Sequence, residues 1–212
     1  MYPIRVPRLL QDLFASFTWR VSTHARVVHL SFDDGPIPEV TPWVLDRLAE
    51  YGAKASFFCI GRNAESHPGL LRRIIEEGHT VGNHTWDHPR GRRTRPFTYY
   101  RSILRCQSVT GSTLFRPPYG SLTMRQARTI CKRFRVVLWE VLSGDFDARL
   151  SGEQCVNNVL HHVRPGSIVV FHDSLKAADR LRYALPRILR ELQAEGYEFR
   201  SLAELKGPVP SR

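Results

Sequence analysis

His84 and His88 stand four residues apart in "HTWDH", a spacing that on a helical turn aims both imidazoles the same way and suits two ligands of one divalent metal. Taken alone, the pair suits two core or surface histidines better. A metal would need a third, anionic ligand, and Asp34 of "SFDDGP" is the candidate. A His-His-Asp set leaves coordination positions open for water and substrate, as a catalytic site requires. Asp33 then has a task of its own. Adjacent carboxylates repel unless a cation lies beside them, so one can bind metal while the other accepts a proton from water. An Asp-Asp-Gly run also forms an Asx-type turn with no chemistry attached.

These residues need elements to hold them together. "RVVHLSF" reads as a strand that delivers Asp33 and Asp34 at its carboxyl end. "VTPWVLDRLAEYG" reads as a helix, with Val40, Val44, Leu45 and Leu48 at helical spacing, Thr41 as N-cap before Pro42, and Gly52 as the stop. "KASFFCIG" and "HTVGNH" are strands around the helix "PGLLRRIIEEG", whose apolar face is Leu70, Leu71, Ile74 and Ile75. The helix "PFTYYRSILRCQSVTG", the strand "TLFRPPYG", the helix "LTMRQARTICKRF" and the strand "RVVLWEV" follow. Ser151 and Gln154 have capping-box spacing and start a helix that Gly166 ends before the strand "SIVVF". The helix "RLRYALPRILRELQAEG" leads to "YEFRSL". Repeated strand-helix alternation predicts parallel pairing, because each parallel return needs a crossover, and a barrel is the favoured arrangement. Function in such folds sits at the carboxyl ends of the strands. "DDG", "NHTWDH", "RPPYG", "SGDFD" and "HDS" all fall at that end.

The chain has 212 residues, 42% of them hydrophobic, which suits one domain with a substantial core. No stretch approaches the roughly 18 uninterrupted apolar residues of a membrane span, and the N-terminus lacks the order of a cleaved signal. A cytoplasmic or envelope-associated protein is the expectation. "RLLQDLFASFTW" reads as a helix packed on the base of the domain, or as a short amphipathic segment touching a membrane. Cys59, Cys106, Cys131 and Cys155 form no C-x-x-C pair and read as buried thiols. The net charge of +11 suits nucleic acid, an anionic membrane surface or an acidic polymer. Its densest cluster, "PRGRRTRP", reads as a solvated loop, and no nucleic-acid-binding motif accompanies it.

Taken in order, "SFDDGP", "HTWDH", "RPPYG", "SGDFD" and "VVFHDS" resemble the five motifs of the polysaccharide deacetylase family, carbohydrate esterase family 4. The resemblance covers nearly the whole chain and implies a single-domain distorted (β/α) barrel of about seven strands. It divides the chain into an N-terminal segment (1–25) packed on the domain, a catalytic domain (26–205) and a C-terminal tail (206–212). It makes Asp33 the general base and Asp34, His84 and His88 the ligands of a divalent metal, zinc or another such as cobalt. Arg116 would hold the base, the backbone N–H of Tyr119 would help bind the oxyanion, and His172, oriented by Asp145, would protonate the leaving amine.

The fourth motif departs from the family form, since Phe146 stands where a tryptophan usually walls the acetyl pocket. Phe146, Val170 and Pro118 are the candidate pocket walls, with Ile168 beside Val170, although Val170 and Ile168 suit plain strand core equally well. The implied activity is hydrolysis of N-acetyl groups on N-acetylglucosamine polymers such as chitin or peptidoglycan. Deacylation of a lipid-linked sugar or small amide, or non-catalytic sugar binding, are the alternatives. The expected partner is a carbohydrate substrate, with peripheral membrane or cell-envelope contact, no nucleic acid, and a monomeric chain. His79 reads as a helix cap, Glu140 as adjacent to the site, Asp173 as a hydrogen-bonding partner of backbone or His84, and Trp86 and Asp87 as loop-shaping.

Overall fold

Residues 3–205 are described in the computed structural model of the chain, and the tail 206–212 lies outside them. The elements are α1 (Arg8–Leu13), β1 (Val27–Asp33), α2 (Thr41–Glu50), β2 (Ser56–Cys59), α3 (Gly61–Ser66), α4 (Pro68–Glu76), β3 (Thr80–Asn83), α5 (Pro96–Thr110), β4 (Leu114–Phe115), α6 (Met124–Ile130), β5 (Arg135–Val136), β6 (Val141–Leu142), α7 (Gly152–Leu160), β7 (Ile168–His172), α8 (Ala178–Ala194) and β8 (Glu198–Phe199).

Seven strands pair in the order β5-β4-β3-β2-β1-β7-β6, every ladder parallel, and β8 pairs with the start of β1. The two outer strands of this path come from one stretch, the predicted strand "RVVLWEV", which divides into β5 and β6. The chain from Val136 to Val141 reaches at most about 18 Å. A flat seven-stranded sheet would hold its edges about 29 Å apart. The sheet is therefore curled, and the fold is the distorted (β/α) barrel expected of the sequence.

All of β1 is buried, but its two faces differ. Val28, Leu30 and Phe32 join the core under the helices, where the Phe32 ring stacks at 5.1 Å on Phe57 and 5.8 Å on Phe171. The alternate residues Ser31 and Asp33 point the other way and meet Arg116. Strand period two thus separates packing from chemistry along one segment. α2, α7 and α8 supply most of the helical half of that core.

Several local expectations need correction. Thr41 is not the cap of α2: it is the first helical residue, and its hydroxyl accepts from Ile37 N and donates to Asp173 Oδ2. Gly52 does stop that helix, in the left-handed region at φ 59°. The Ser151–Gln154 capping box starts α7, but α7 ends at Leu160, six residues before Gly166, which turns the chain into β7 at φ 81°. A second capping box, Thr123 with Gln126, starts α6. In α4 only Ile74 is buried, and Ile75 faces solvent.

The N-terminal segment lies along the run between β5 and β6. Val6 N donates to Glu140 O, Leu142 N to Ile4 O, Thr18 N to Val136 O and Leu138 N to Thr18 O. α1 itself buries none of its residues, so its leucines are not packed on the base of the domain. Among the described residues no helix is long and apolar enough to cross a membrane.

Candidate active site

Asp33 ends β1 and Asp34 follows it at φ 85°. In a regular strand two successive side chains would point to opposite faces. The left-handed turn at Asp34 breaks that alternation, and both carboxylates line one cavity of about 510 Å³. The turn is pinned from two sides. Gly35 N donates to Asp173 Oδ1 at 3.0 Å, and Asn63 Nδ2 of α3 donates to the Asp34 carbonyl at 2.8 Å. A Cβ on Gly35 would lie 2.0 Å from Asp173 Oδ2, so only glycine fits. Asp173 therefore serves the turn and not His84. Burial pushes its carboxyl up to about 8, against the hydrogen bonds from Thr41 and Gly35.

His84 and His88 lie on no helix. They occupy the loop after β3, where Thr85 and His88 both have positive φ (66° and 59°). Asn83 Oδ1 accepts from Thr85 N, and Thr85 Oγ1 accepts from His88 N, so side chains from the loop itself hold its shape. The two rings finish 5.0 Å apart. His84 Nδ1 contacts the Arg116 carbonyl at 2.8 Å, which makes it the donor and turns Nε2 toward the carboxylates. Nε2 of His84 lies 3.9 Å, and Nε2 of His88 3.3 Å, from Asp34 Oδ1.

One ligand atom from each of Asp34, His84 and His88 fits within a 4.8 Å span. Asp34 Oδ1 is buried and accepts no hydrogen bond among the described residues. A buried carboxylate oxygen without a donor is costly unless a cation meets it. Burial, with His88 adding to it, holds His84 down at about 3, and burial lowers His88 as well. Neutral imidazoles with a facing carboxylate are the donor set that a divalent metal takes. The residues present fit a metal.

Arg116 is fully buried. Its Nη1 donates to Asp33 Oδ1 at 2.7 Å and to Ser31 Oγ at 2.9 Å, while Nε and Nη2 donate to the carbonyls of Val137 and Leu138. The guanidinium also lies over the Phe58 ring, 4.0 Å from its centroid. Across the cavity, Asp145 receives His172 Nδ1 at 2.8 Å and the His172 backbone N–H at 2.7 Å. Burial opposes a charge on this imidazole, but the Asp145 charge and hydrogen bond, with Asp34 and Asp33 behind them, raise it to about 9.

The cavity brings together Asp33, Asp34, His84, His88, Tyr119, Phe146, Val170 and His172 of the predicted residues. Tyr119 sits in a left-handed turn at φ 59°, its ring 4.7 Å from that of His88. Phe146 meets the His172 ring edge-on at 5.1 Å. Pro118 is buried in its turn and is absent from the lining, and Ile168 belongs to the buried cluster around Phe58. Glu140 is not adjacent to the site: its backbone N–H bonds Ile168 O, at the amino end of β7, whereas His172 ends that strand. His79 caps no helix and accepts from Ala55 N. Trp139, Leu142, Ser174 and Lys176 also line the cavity and were missed. Trp139 shares strand parity with buried Val137, a signal open to the eye; Ser174 and Lys176 follow "HD" in a loop without periodicity.

Residues 20–136 match the family model described as polysaccharide deacetylase. The chain belongs to the polysaccharide deacetylase family. Among curated polysaccharide deacetylase relatives, the peptidoglycan-N-acetylglucosamine deacetylase PgdA of Listeria monocytogenes is 37% identical over 194 residues, 89% of this chain and 40% of that protein. The chain thus spans well under half the length of that relative. A peptidoglycan-N-acetylglucosamine deacetylase of Bacillus cereus is 34% identical, covering 89% of this chain and 92% of that protein. The crystal structure of the Bc1960 peptidoglycan N-acetylglucosamine deacetylase superposes with a TM-score of 0.86 at 29% identity, over 98% of this chain and 100% of that one.

Proposed function

We propose that this chain is a metal-dependent amide hydrolase that removes N-acetyl groups from N-acetylglucosamine-containing oligo- or polysaccharides of the chitin or peptidoglycan type. The observation that carries the reading is Asp34 Oδ1, which accepts no hydrogen bond among the described residues and faces two neutral histidines, with an arginine-held carboxylate and a carboxylate-held histidine in the same cavity. The catalytic unit is assigned to residues 26–205, preceded by an N-terminal segment in which Ile4, Val6 and Thr18 bond the run between β5 and β6 and Val21 bonds Gly166.

Asp34, His84 and His88 would hold the cation, with zinc suited to two imidazoles and a carboxylate and cobalt also compatible. Such a cation polarises an amide carbonyl and makes water more acidic. Arg116 fixes one oxygen of Asp33, leaving Oδ2 to take the proton of the attacking water. As the water oxygen bonds to the acetyl carbon, negative charge develops on the carbonyl oxygen, and the Tyr119 backbone N–H supplies a donor there. His172, its Nδ1 engaged by Asp145, gives the Nε2 proton to the amide nitrogen as the C–N bond breaks. Acetate and a free amine result. Trp139, Phe146 and Val170 provide an apolar wall that accepts a methyl group and excludes bulk water.

The test is acetate release from chitooligosaccharides and from peptidoglycan fragments, with and without chelator, beside Asp33→Asn. Activity surviving both the chelator and the substitution would overturn these roles.

A further inference from the structure

α1 is amphipathic in the reverse sense. At about 100° per residue, Leu9, Leu10 and Leu13 share one side of the helix, and Gln11 lies on the other. Gln11 is half-buried, and its Nε2 donates to the Val6 carbonyl at 2.9 Å, in the segment that leads into the helix. The leucines face solvent, with Leu9 79%, Leu10 41% and Leu13 70% exposed. Burying them under the chain would have been the ordinary outcome for a helix in "RLLQDL", so this apolar face is left for something else.

The ground beside the helix is basic. Arg5, Arg8 and Arg164 line a cavity of about 400 Å³ together with Val6 and Pro7. Behind it, the buried Glu140 carboxylate pairs with Arg164, with Arg5 at 3.4 Å and with Arg20 at 3.9 Å, and accepts from Ser167 Oγ at 2.8 Å. Three guanidinium groups share one carboxylate, and the Nε atoms of Arg20 and Arg164 have no hydrogen-bond partner among the described residues. Asp12 is the acidic side chain of α1 and offsets only part of this excess.

Exposed leucines bordered by surplus arginines complement a surface that is apolar inside and anionic at its face. A second copy of the chain fits poorly, since a two-fold contact would set each arginine cluster against its own image. Nucleic acid would match the arginines and leave the leucines unexplained. We propose that this face docks on an anionic lipid bilayer, with Leu9, Leu10 and Leu13 entering the interface and the Arg5–Arg8–Arg164 cavity taking an acidic headgroup. The Glu140 cluster lies at the amino end of β7 and His172 at its carboxyl end, so docking turns the Asp33–His172 cavity away from the lipid.

The experiment is co-sedimentation of the full chain with vesicles of phosphatidylcholine alone or mixed with phosphatidylglycerol, at low and high salt. Inorganic phosphate is added in a parallel arm. Wild type is expected to pellet with the mixed vesicles, to stay in solution with pure phosphatidylcholine, and to be released by salt but not by millimolar phosphate. Leu9→Asp with Leu13→Asp, and separately Arg8→Glu, are expected to weaken binding at least tenfold. Circular dichroism and acetate release from soluble chitooligosaccharides are expected to stay at wild-type levels in both. Absence of wild-type binding to mixed vesicles, equal binding by folded variants, or a dimer in sedimentation velocity that Leu9→Asp dissociates without any vesicle binding would each overturn the proposal.

Discussion

Arg116 and Asp33 form a two-atom contact, Nη1 to Oδ1 at 2.7 Å, between side chains that are 0% and 4% exposed. Breaking such a pair from one side strands a charge in the interior. Arg116→Met is therefore expected to lower stability by about 3–5 kcal/mol in denaturant unfolding. Adding Asp33→Asn to that variant is expected to restore part of the loss, because the stranded charge is removed. A single-variant loss below about 1 kcal/mol would show that the pair is not coupled as drawn.

Asp33 and the Asp34–His84–His88 set are expected to separate in experiment. Asp33→Asn is expected to keep bound metal while activity falls by about 10²–10⁴-fold, the usual range for losing a general base. His84→Ala is expected to lose both. Zinc added to chelator-treated wild type is expected to raise the melting temperature, by the equivalent of about 2.7 kcal/mol at a hundred times its Kd, and to leave His84→Ala unmoved. Metal analysis together with thermal melts decides this.

The His172–Asp145 pair sets a pH limit. A general acid must start protonated, and His172 is raised to about 9, so activity is expected to hold through neutral pH and to fall as pH rises through about 9. Asp145→Asn is expected to move that fall toward the ordinary value of 6.5. The folded value lies above the unfolded one, so the pair's stabilisation is full below 6.5 and is lost as pH rises through about 9. Unfolding midpoints on either side of that window are expected to converge between wild type and Asp145→Asn at the alkaline end.

Gly35→Ala places a methyl group 2.0 Å from Asp173 Oδ2, and Asp173 is anchored by Thr41 at 2.6 Å. Neither side can yield without moving the turn that aims Asp33 and Asp34. Overpacking of this kind costs about 1–3 kcal/mol. Stability and metal affinity are expected to fall together, whereas Gly69→Ala, in α4 with open space around its Cβ, is expected to leave metal affinity unchanged and to hold or raise stability, by up to about 1 kcal/mol.

The sequence carried the strand-helix alternation and the cavity end of the sheet, because both rest on periodicities of single segments. The Ser151 capping box and the Gly52 stop were legible for the same reason: each is a local interaction between neighbours. Misreadings arose where distant groups compete for a local one. Thr41 looks like a cap, but Asp173, 132 residues away, claims its hydroxyl. The histidine pair looks helical from its spacing, yet the side chains of Asn83 and Thr85 wind it into a left-handed loop. Glu140 has the composition of an active-site acid, and only the register of β6 on β7 reveals that it belongs to the other end.

The curled sheet has its two outermost strands cut from the same length of chain, and that bears on where the polypeptide tolerates being opened. A circular permutation with new ends between Val137 and Glu140 would detach the Val137 and Leu138 carbonyls that receive Arg116, and would free Trp139 from the cavity wall. New ends in the exposed turn near Gly111 touch none of these groups. The covalent thread at Leu138–Trp139, with the N-terminal segment hydrogen-bonded along it through Thr18, Val6 and Ile4, spans the gap that a ladder of hydrogen bonds closes in a fully closed barrel.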